Sequence, residues 1–502
     1  MTKLMNLPMI NKLPITLGVV LLVGLLYAFT LRGAVGNPTP AAIDKVLSVS
    51  GKPFETSQER SRYALILSLY NYRTFDIDHY ASMGTPDIGR INNHYFSFFP
   101  PGASVIALPA YIMGLYFNIP QIAVFSVSTF FAILTMIVIY LFSRKLNLHW
   151  SIALFSALAF AFATNAWGYS VTFYAHLISA FLITTSLYLI APSDKSKIYL
   201  KHSIFWVLYS IAVFVDFPNL IIFLPIAITA LSTAFEKVED SKSLKIRVKP
   251  LILLLPVIFV VLMLCYAQYN KIHFGNYTTL SNAIPRVKDL KDVNLSVPET
   301  GKDATGALQT RNMLEGYVSF LISRDRGVLV YSPIVLLSIF GIGFLELKKK
   351  RVEILLVAVP VICLTLYTMF GDPYGGWAFG SRYMIAIFPA LCILVGIGLQ
   401  RYSQKIWAKL LFSVVFIYST AVSLLAPLTT NVIPPFVEAR NIGLSSDYSI
   451  NIRMLSENKL NSFLYNQFFG DYITGVGYYL IILVIVASFG LVTIWYRRAH
   501  YE

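Results

Sequence analysis

Residues 78 to 102 read "DHYASMGTPDIGRINNHYFSFFPPG" and gather two carboxylates, two histidines, an arginine, five aromatic rings and a double proline in one stretch. Acid–base chemistry needs a positioned carboxylate or imidazole. Glu59, Asp76, Asp78 and Asp87 are the carboxylates in and around this stretch, and His94 is a polar neighbour. Taken singly, each reads as a solvated loop charge, and Glu59 with Arg62 reads as an i, i+3 ion pair on a helix. Their concentration among aromatic residues argues for a site. Arg62 beside Glu59 would lower its pKa and keep it ionised. The double proline favours a helix start, since proline presets φ and lacks only an amide that would stay unpaired there. A helix opening at Pro100-Pro101 would turn the amides of Gly102, Ala103 and Ser104 toward the loop, where an anion can bind; the plainer reading is an ordinary helix start at the membrane interface.

Two later segments place fixed charge beside glycine. "ISRDRGVLVYSP" sets Arg324, Asp325 and Arg326 at the start of an apolar run, and "GDPYGGWAFGSRYM" sets Asp372, Trp377 and Arg382 in a glycine-rich turn. Contact with lipid headgroups is the plain reading of such arginines. Glycines around Trp377 instead permit close backbone approach to a ligand. Asp216, in "FVDFPNL", is a carboxylate at the edge of an apolar run; a costly buried charge and a loop end at Pro218 are equally compatible with it.

These residues sit in a chain of 502 residues that is 56% hydrophobic, 13% charged and has mean hydropathy +0.65. Soluble domains carry roughly 25% charged residues, so this is an integral membrane protein. Apolar runs near the ~20 residues that cross a bilayer fall at 14–31, 120–142, 151–167, 174–192, 203–216, 218–234, 250–267, 328–345, 354–371, 383–400, 407–426 and 473–495. They predict an all-α polytopic fold of about 12 transmembrane helices. Net charge is +15, and the basic residues cluster between spans at Arg144/Lys145, Lys195–Lys201, Lys242–Lys249, Lys348–Arg351, Arg401/Lys405 and Arg497/Arg498. That pattern follows the positive-inside rule and excludes nucleic acid as a partner. It predicts a multi-pass plasma membrane protein with cytoplasmic termini and long extracytoplasmic loops at 32–119, 268–327 and 427–472, within a single 1–502 membrane domain whose site lies in the first loop. The helix in "SQERSRYALILSLYNY", with Tyr63, Ile66, Leu67 and Tyr70 on one stripe, is expected to lie on the membrane surface. Cys265, Cys363 and Cys392 all fall in spans and match no metal spacing, so no metal site and no cofactor is expected, a divalent ion staying an open alternative.

The order "SRYAL", "TFDIDHY", "TPDIGRINNHYFSFFPPG", "YNKIHFGN", "RDRGVLVYSP", "YGGWAFGSRY" resembles the polyprenyl-phosphate-sugar-dependent glycosyltransferases of the GT-C superfamily, among them bacterial relatives of protein O-mannosyltransferases and of the lipid A aminoarabinose transferase. The resemblance runs from residue 1 to about 400; residues 401–502 add little. It implies a GT-C-like fold with short helices in the first loop. It also implies inverting transfer of a sugar from a polyprenyl-phosphate donor to a glycan, lipid or protein acceptor at the outer membrane face. One first-loop carboxylate would serve as base: Asp87, Glu59 or Asp78. Arg62, His94, Gly102, Ser104, Arg326, Trp377 and Arg382 would bind the donor and its phosphate. Two departures stand out. The family often has Asp-Glu before "xRYA", whereas this chain has Glu59-Arg60. Relatives also carry a polar residue before the double proline, where this chain has Phe98-Phe99. A transporter or flippase of lipid-linked sugars is the alternative, but the chain shows no internal repeat of the kind transporters use.

Overall fold

A computed structural model describes residues 13–36, 54–191, 197–240, 243–287, 290, 313–345, 351–370 and 375–496. The expected basic residues Lys195, Lys242, Lys348 to Lys350, Arg497 and Arg498, together with Asp372, lie outside the described residues.

The architecture is helical. Among the described residues, six helices are long and apolar enough to cross a membrane: 120–145, 198–215, 250–274, 382–401, 406–428 and 475–495. Shorter apolar helices accompany them, including Trp150–Phe162, His176–Ile190 and Gly102–Tyr116. In chain order the elements used below are α1 (Leu13–Thr30), α2 (Ser57–Asn71), α3 (Gly102–Tyr116), α4 (Pro120–Lys145), α5 (Trp150–Phe162), α6 (His176–Ile190), α7 (Ile198–Val215), α8 (Asn219–Ile222), α9 (Leu224–Ser232), α10 (Pro256–Phe274), α11 (Phe388–Arg401), α12 (Ile406–Leu428) and α13 (Gly475–Trp495). α4 shows why such runs form helices: Pro120 opens it, β-branched and aromatic side chains fill its length, and Arg144 and Lys145 close it where the dipole favours cations. The run expected at 151–167 stops short as α5 at Phe162, and beyond it Asn165 donates two hydrogen bonds across the bundle, from its backbone N–H to Ser332 Oγ and from its side-chain Nδ2 to the Phe379 carbonyl.

Burial separates the helices into layers. α5 is buried along nearly its whole length and forms the centre with α6 and α11. α10 instead turns Val257, Val260, Val261 and Leu264 outward, each more than half exposed. A water-soluble protein would not expose that contiguous apolar face; a lipid-facing helix must, since its backbone is satisfied internally and its side chains meet acyl chains.

A small sheet interrupts the helices. β1 (Ile88–Ile91) and β2 (His94–Ser97) form a hairpin around Asn92-Asn93, both at positive φ as a tight two-residue turn requires. Farther along, β3 (Phe235–Asp240) and β4 (Ser243–Val248) pair as a separate hairpin, and β5 (Arg286–Val287) returns to β1 with Gly89 opposite Arg286. The approach is close: a Cβ on Gly89 would lie 2.2 Å from the Ile284 side chain. This strand ties the loop after α10 to the first loop.

Candidate active site

A cavity of about 840 Å³ opens among α2, the Pro86–Pro100 segment, the α7–α8 break, and the turn at 375–383. α2 supplies one wall. Its first turn is fixed by Glu59, whose Oε2 accepts the amides of Glu55 (2.9 Å) and Thr56 (3.1 Å), as in a Thr-x-x-Glu capping box. The cap leaves Ser57, Gln58, Arg60 and Arg62 on the cavity side. The stripe Tyr63, Ile66, Leu67 faces inward: all three are buried, and Tyr63 packs its ring against Phe54 and Tyr111. The expectation that this helix lies on the membrane surface is therefore corrected. An amphipathic pattern tells which face is buried, not whether lipid or protein buries it.

Glu59 is wholly buried and does not line the cavity. Burial, then the neighbouring Glu55 charge, pushes its carboxyl up to about 7. The expected lowering by Arg62 does not occur, because Glu59 turns back to the helix start while Arg62 turns to the cavity. There the Arg62 guanidinium lies 4.0 Å from the centroid of Phe99. Burial brings Arg62 down to about 10, with Asp216 opposing that shift and Arg382 adding to it.

Asp87 does line the cavity. Its Oδ2 accepts from Ser57 Oγ at 2.5 Å and its Oδ1 from Arg286 Nη2 at 2.7 Å. The β1–β5 pairing delivers Arg286 across 199 residues of sequence, and Phe98 lies 5.5 Å beneath the guanidinium. Phe98-Phe99, read as a departure from the family pattern, thus provides a ring under each of two arginines; such stacking is worth ~0.5–2 kcal/mol according to its exposure.

Arg382 enters from the opposite wall. With the Gln58 amide oxygen turned to it, the guanidinium donates at 2.6 and 3.2 Å. Gly375, at φ +69°, allows this: a Cβ there would stand 3.1 Å from Arg382 Nε. Trp377 lines the same wall, its indole N–H donating to Glu438 at 2.5 Å. Arg326 stays behind it, buried, donating to the carbonyls of Gly376 and Ile433, each at 2.9 Å. It holds the turn rather than lining the cavity.

Other expected residues stand apart. Asp78 and His94 are paired at 2.7 Å near the exposed hairpin, away from the cavity wall, and the Asp78 hydrogen bond raises the His94 pKa. With Asp76 they form a group whose ligand atoms lie within 4.8 Å of one another, a geometry suited to a cation. Gly102 and Ser104 are buried off the cavity: Gly102 abuts the Phe214 carbonyl, leaving no room there even for a Cβ, and Ser104 Oγ donates to the Arg62 carbonyl at 2.9 Å.

Sequence reasoning passed over several wall residues. Glu55 lines the cavity and pairs with buried Arg32, and Asn431 and Asn461 donate to it. His176 begins α6, stacks on Tyr174 at 5.8 Å and keeps Nε2 without a partner, as do Nε of Arg62 and of Arg382. Asp216 caps α7. The wall thus carries four guanidiniums, of Arg60, Arg62, Arg286 and Arg382, against three carboxylates, of Glu55, Asp87 and Asp216. Apolar and aromatic side chains make up much of the remainder, among them Phe217, Tyr367, Phe370 and Tyr383. A net positive, partly apolar cavity with unspent N–H groups suits an amphiphilic anion.

No protein-family profile and no curated protein sequence matches the chain. Among solved structures, ArnT from Cupriavidus metallidurans bound to undecaprenyl phosphate aligns over 96% of this chain and 78% of its own, at 13% identity and TM-score 0.51. The apo form aligns at 11% identity over 95% and 76%, with TM-score 0.49. The apo oligosaccharyltransferase of Archaeoglobus fulgidus aligns at 14% identity over 90% and 59%, with TM-score 0.41. The first of these establishes a shared fold: the chain has the helical membrane architecture of that ArnT structure.

Proposed function

We propose that the chain is an inverting membrane glycosyltransferase that moves a sugar from a polyprenyl-phosphate donor to a hydroxyl or amine acceptor at the extracytoplasmic face, both termini being cytoplasmic. One observation carries the reading: a single cavity joins Arg62 and Arg382, each with an unpartnered Nε, to the anchored carboxylate of Asp87 and an aromatic wall. The neighbour that shares this fold was solved with undecaprenyl phosphate bound, which agrees with a lipid-phosphate ligand.

The residues divide the reaction. The two guanidiniums and the His176 ring hold the donor phosphate, and the aromatic side chains cover the first prenyl units. The acceptor atom attacks the anomeric carbon from the face opposite the phosphate. As that bond forms, the bond from carbon to phosphate oxygen breaks, its electron pair passes to the phosphate, and the acceptor proton passes to Asp87. Charge growing on the departing phosphate meets fixed cations, which need no reorganisation. Ser57 and Arg286 hold the Asp87 carboxylate in place. Glu59 builds the start of α2, and Asp78 lies outside this scheme.

The test is whether purified protein in vesicles converts a polyprenyl-phosphate sugar into free polyprenyl phosphate and a glycosylated acceptor. Passage of the intact lipid-linked sugar across the bilayer with no transfer would mark a flippase instead.

A further inference from the structure

Of the three cavity carboxylates, two are already engaged. Glu55 is held by Arg32, Asn431 and Asn461, and Asp87 by Ser57 and Arg286. Asp216 lines the cavity together with Arg62 and Arg382, with no hydrogen-bond donor to its carboxylate among the described residues. Asp216 is only partly buried, so its carboxylate is open to the cavity, and a ligand that displaces water there must bring donors of its own.

We propose that Asp216 is the sugar-binding carboxylate of the site, accepting hydrogen bonds from hydroxyl groups of the donor sugar while Arg62 and Arg382 hold the phosphate. This rests on the lipid-phosphate-sugar reading above. The sugar is one bond from the phosphate, so a group that faces both phosphate-binding arginines is within reach of its hydroxyls. The same position makes Asp216 a poor base: inverting attack arrives from the face away from the phosphate.

The backbone around Asp216 is braced. Its amide donates to Ala212 at 2.9 Å, and its carbonyl accepts from Asn219 at 3.2 Å. The Asn219 side chain spans the break between α7 and α8, donating to Ser179 Oγ at 2.9 Å and to the Ala212 carbonyl at 2.8 Å. Phe217 and Pro218, next in sequence, line the cavity as well. A sugar subsite needs such a fixed wall, because orientation is lost with small displacements.

The experiment measures binding of undecaprenyl phosphate, and of a panel of undecaprenyl-phosphate hexoses and pentoses, to wild type, Asp216→Asn and Asp216→Ser in detergent. Wild type should bind at least one sugar-bearing lipid about tenfold or more tightly than undecaprenyl phosphate, the scale of a hydrogen bond to a charged group. Both variants should erase that preference while binding undecaprenyl phosphate as well as wild type or better, since a negative charge has left the phosphate site. A preserved sugar preference, or weakened binding of undecaprenyl phosphate itself in a variant with wild-type melting temperature, would overturn the inference. So would a wild type that binds undecaprenyl phosphate but prefers no sugar-bearing lipid. If wild type binds no polyprenyl phosphate at all, the proposed function fails first.

Discussion

Asp87→Asn tests the proposed base. Asparagine has the same shape and keeps an oxygen for Arg286, while its amide nitrogen can donate to Ser57 Oγ, so both contacts of the native carboxylate have a replacement. What is lost is charge. The Arg286 side chain is 40% exposed and that of Asp87 16%. An ion pair so open to solvent contributes ~0–1 kcal/mol, so the variant should melt close to wild type. Turnover should respond on another scale. A general base contributes about 10²–10⁴-fold, or ~2.7–5.4 kcal/mol of barrier at 1.36 kcal/mol per decade. The assay follows release of polyprenyl phosphate from a radiolabelled lipid-linked sugar in a single turnover, with donor binding and melting temperature measured on the same preparation. Binding and melting should hold while the chemical step slows at least a hundredfold. A rate within tenfold of wild type, in protein that binds donor normally, would remove Asp87 from the mechanism.

Three further outcomes are expected. Arg382→Ala should lose about 10²–10³-fold in turnover, the scale of one preorganised electrostatic contact, and Arg382→Lys should regain only part of it because a point charge cannot make a two-pronged contact; wild-type turnover in the alanine variant would reassign Arg382 to a structural role. Glu59 binds its proton more tightly folded than unfolded, at about 7 against 4.5, so its contribution makes stability fall as pH rises between those values and level off above 7. Glu59→Gln keeps the cap acceptor and removes the charge, so its melting temperature should lose that slope and exceed wild type at pH 8, with transfer activity retained; identical pH profiles for the two proteins would refute the assignment. A cysteine at Asn92, exposed at the hairpin turn, in a Cys265→Ser background, should react with an impermeant reagent in intact cells, whereas labelling of a cysteine at position 349 and not at 92 would invert the topology.

The sequence made the helices readable because a bilayer imposes length and apolarity on each span independently of its neighbours. Part of the site was readable for a similar reason. Arg62, Asp87, Trp377 and Arg382 come from short segments whose glycines, prolines and aromatic rings are unusual in any apolar chain, and all four line the cavity. Glu59 was also resolvable in principle: Thr56-Ser57-Gln58-Glu59 is a capping-box pattern, and weighing that signal would have turned the carboxylate toward the helix start. Arg286 and Asp216 offered no comparable local cue. Arg286 reaches Asp87 only because β5 pairs with β1, and no periodicity announces a two-residue strand. Asp216 looked equally like a loop end because its significance depends on α2 and on the 375–383 turn standing opposite. His176 was hidden for another reason: a lone histidine at the start of an apolar helix reads as core until the charges around it are placed.

The last hundred residues, which add little to the family resemblance, carry the back of the site. Trp377 is steadied by Glu438, the Gly376 turn is tied through Arg326 to the Ile433 carbonyl, and Val432 itself lines the cavity. Beneath them Arg32, at the end of α1, reaches Glu55 and the carbonyls of Ala426 and Pro427, while Asn431 and Asn461 close on the same carboxylate. A buried pair of this kind adds little net stability against an apolar replacement, yet removing one partner typically costs ~3–5 kcal/mol. Its value therefore lies in register: it joins the end of the first helix, the entry to α2 and the segment after α12 in one arrangement, and does so with a carboxylate that the cavity also touches. Motifs such as "SRYAL" and "GGWAFGSRY" supply side chains to the cavity wall, among them Arg62, Trp377 and Arg382. Backing made of main-chain carbonyls and amides can be met by many sequences, which is why a fold can match over 96% of a chain at 13% identity.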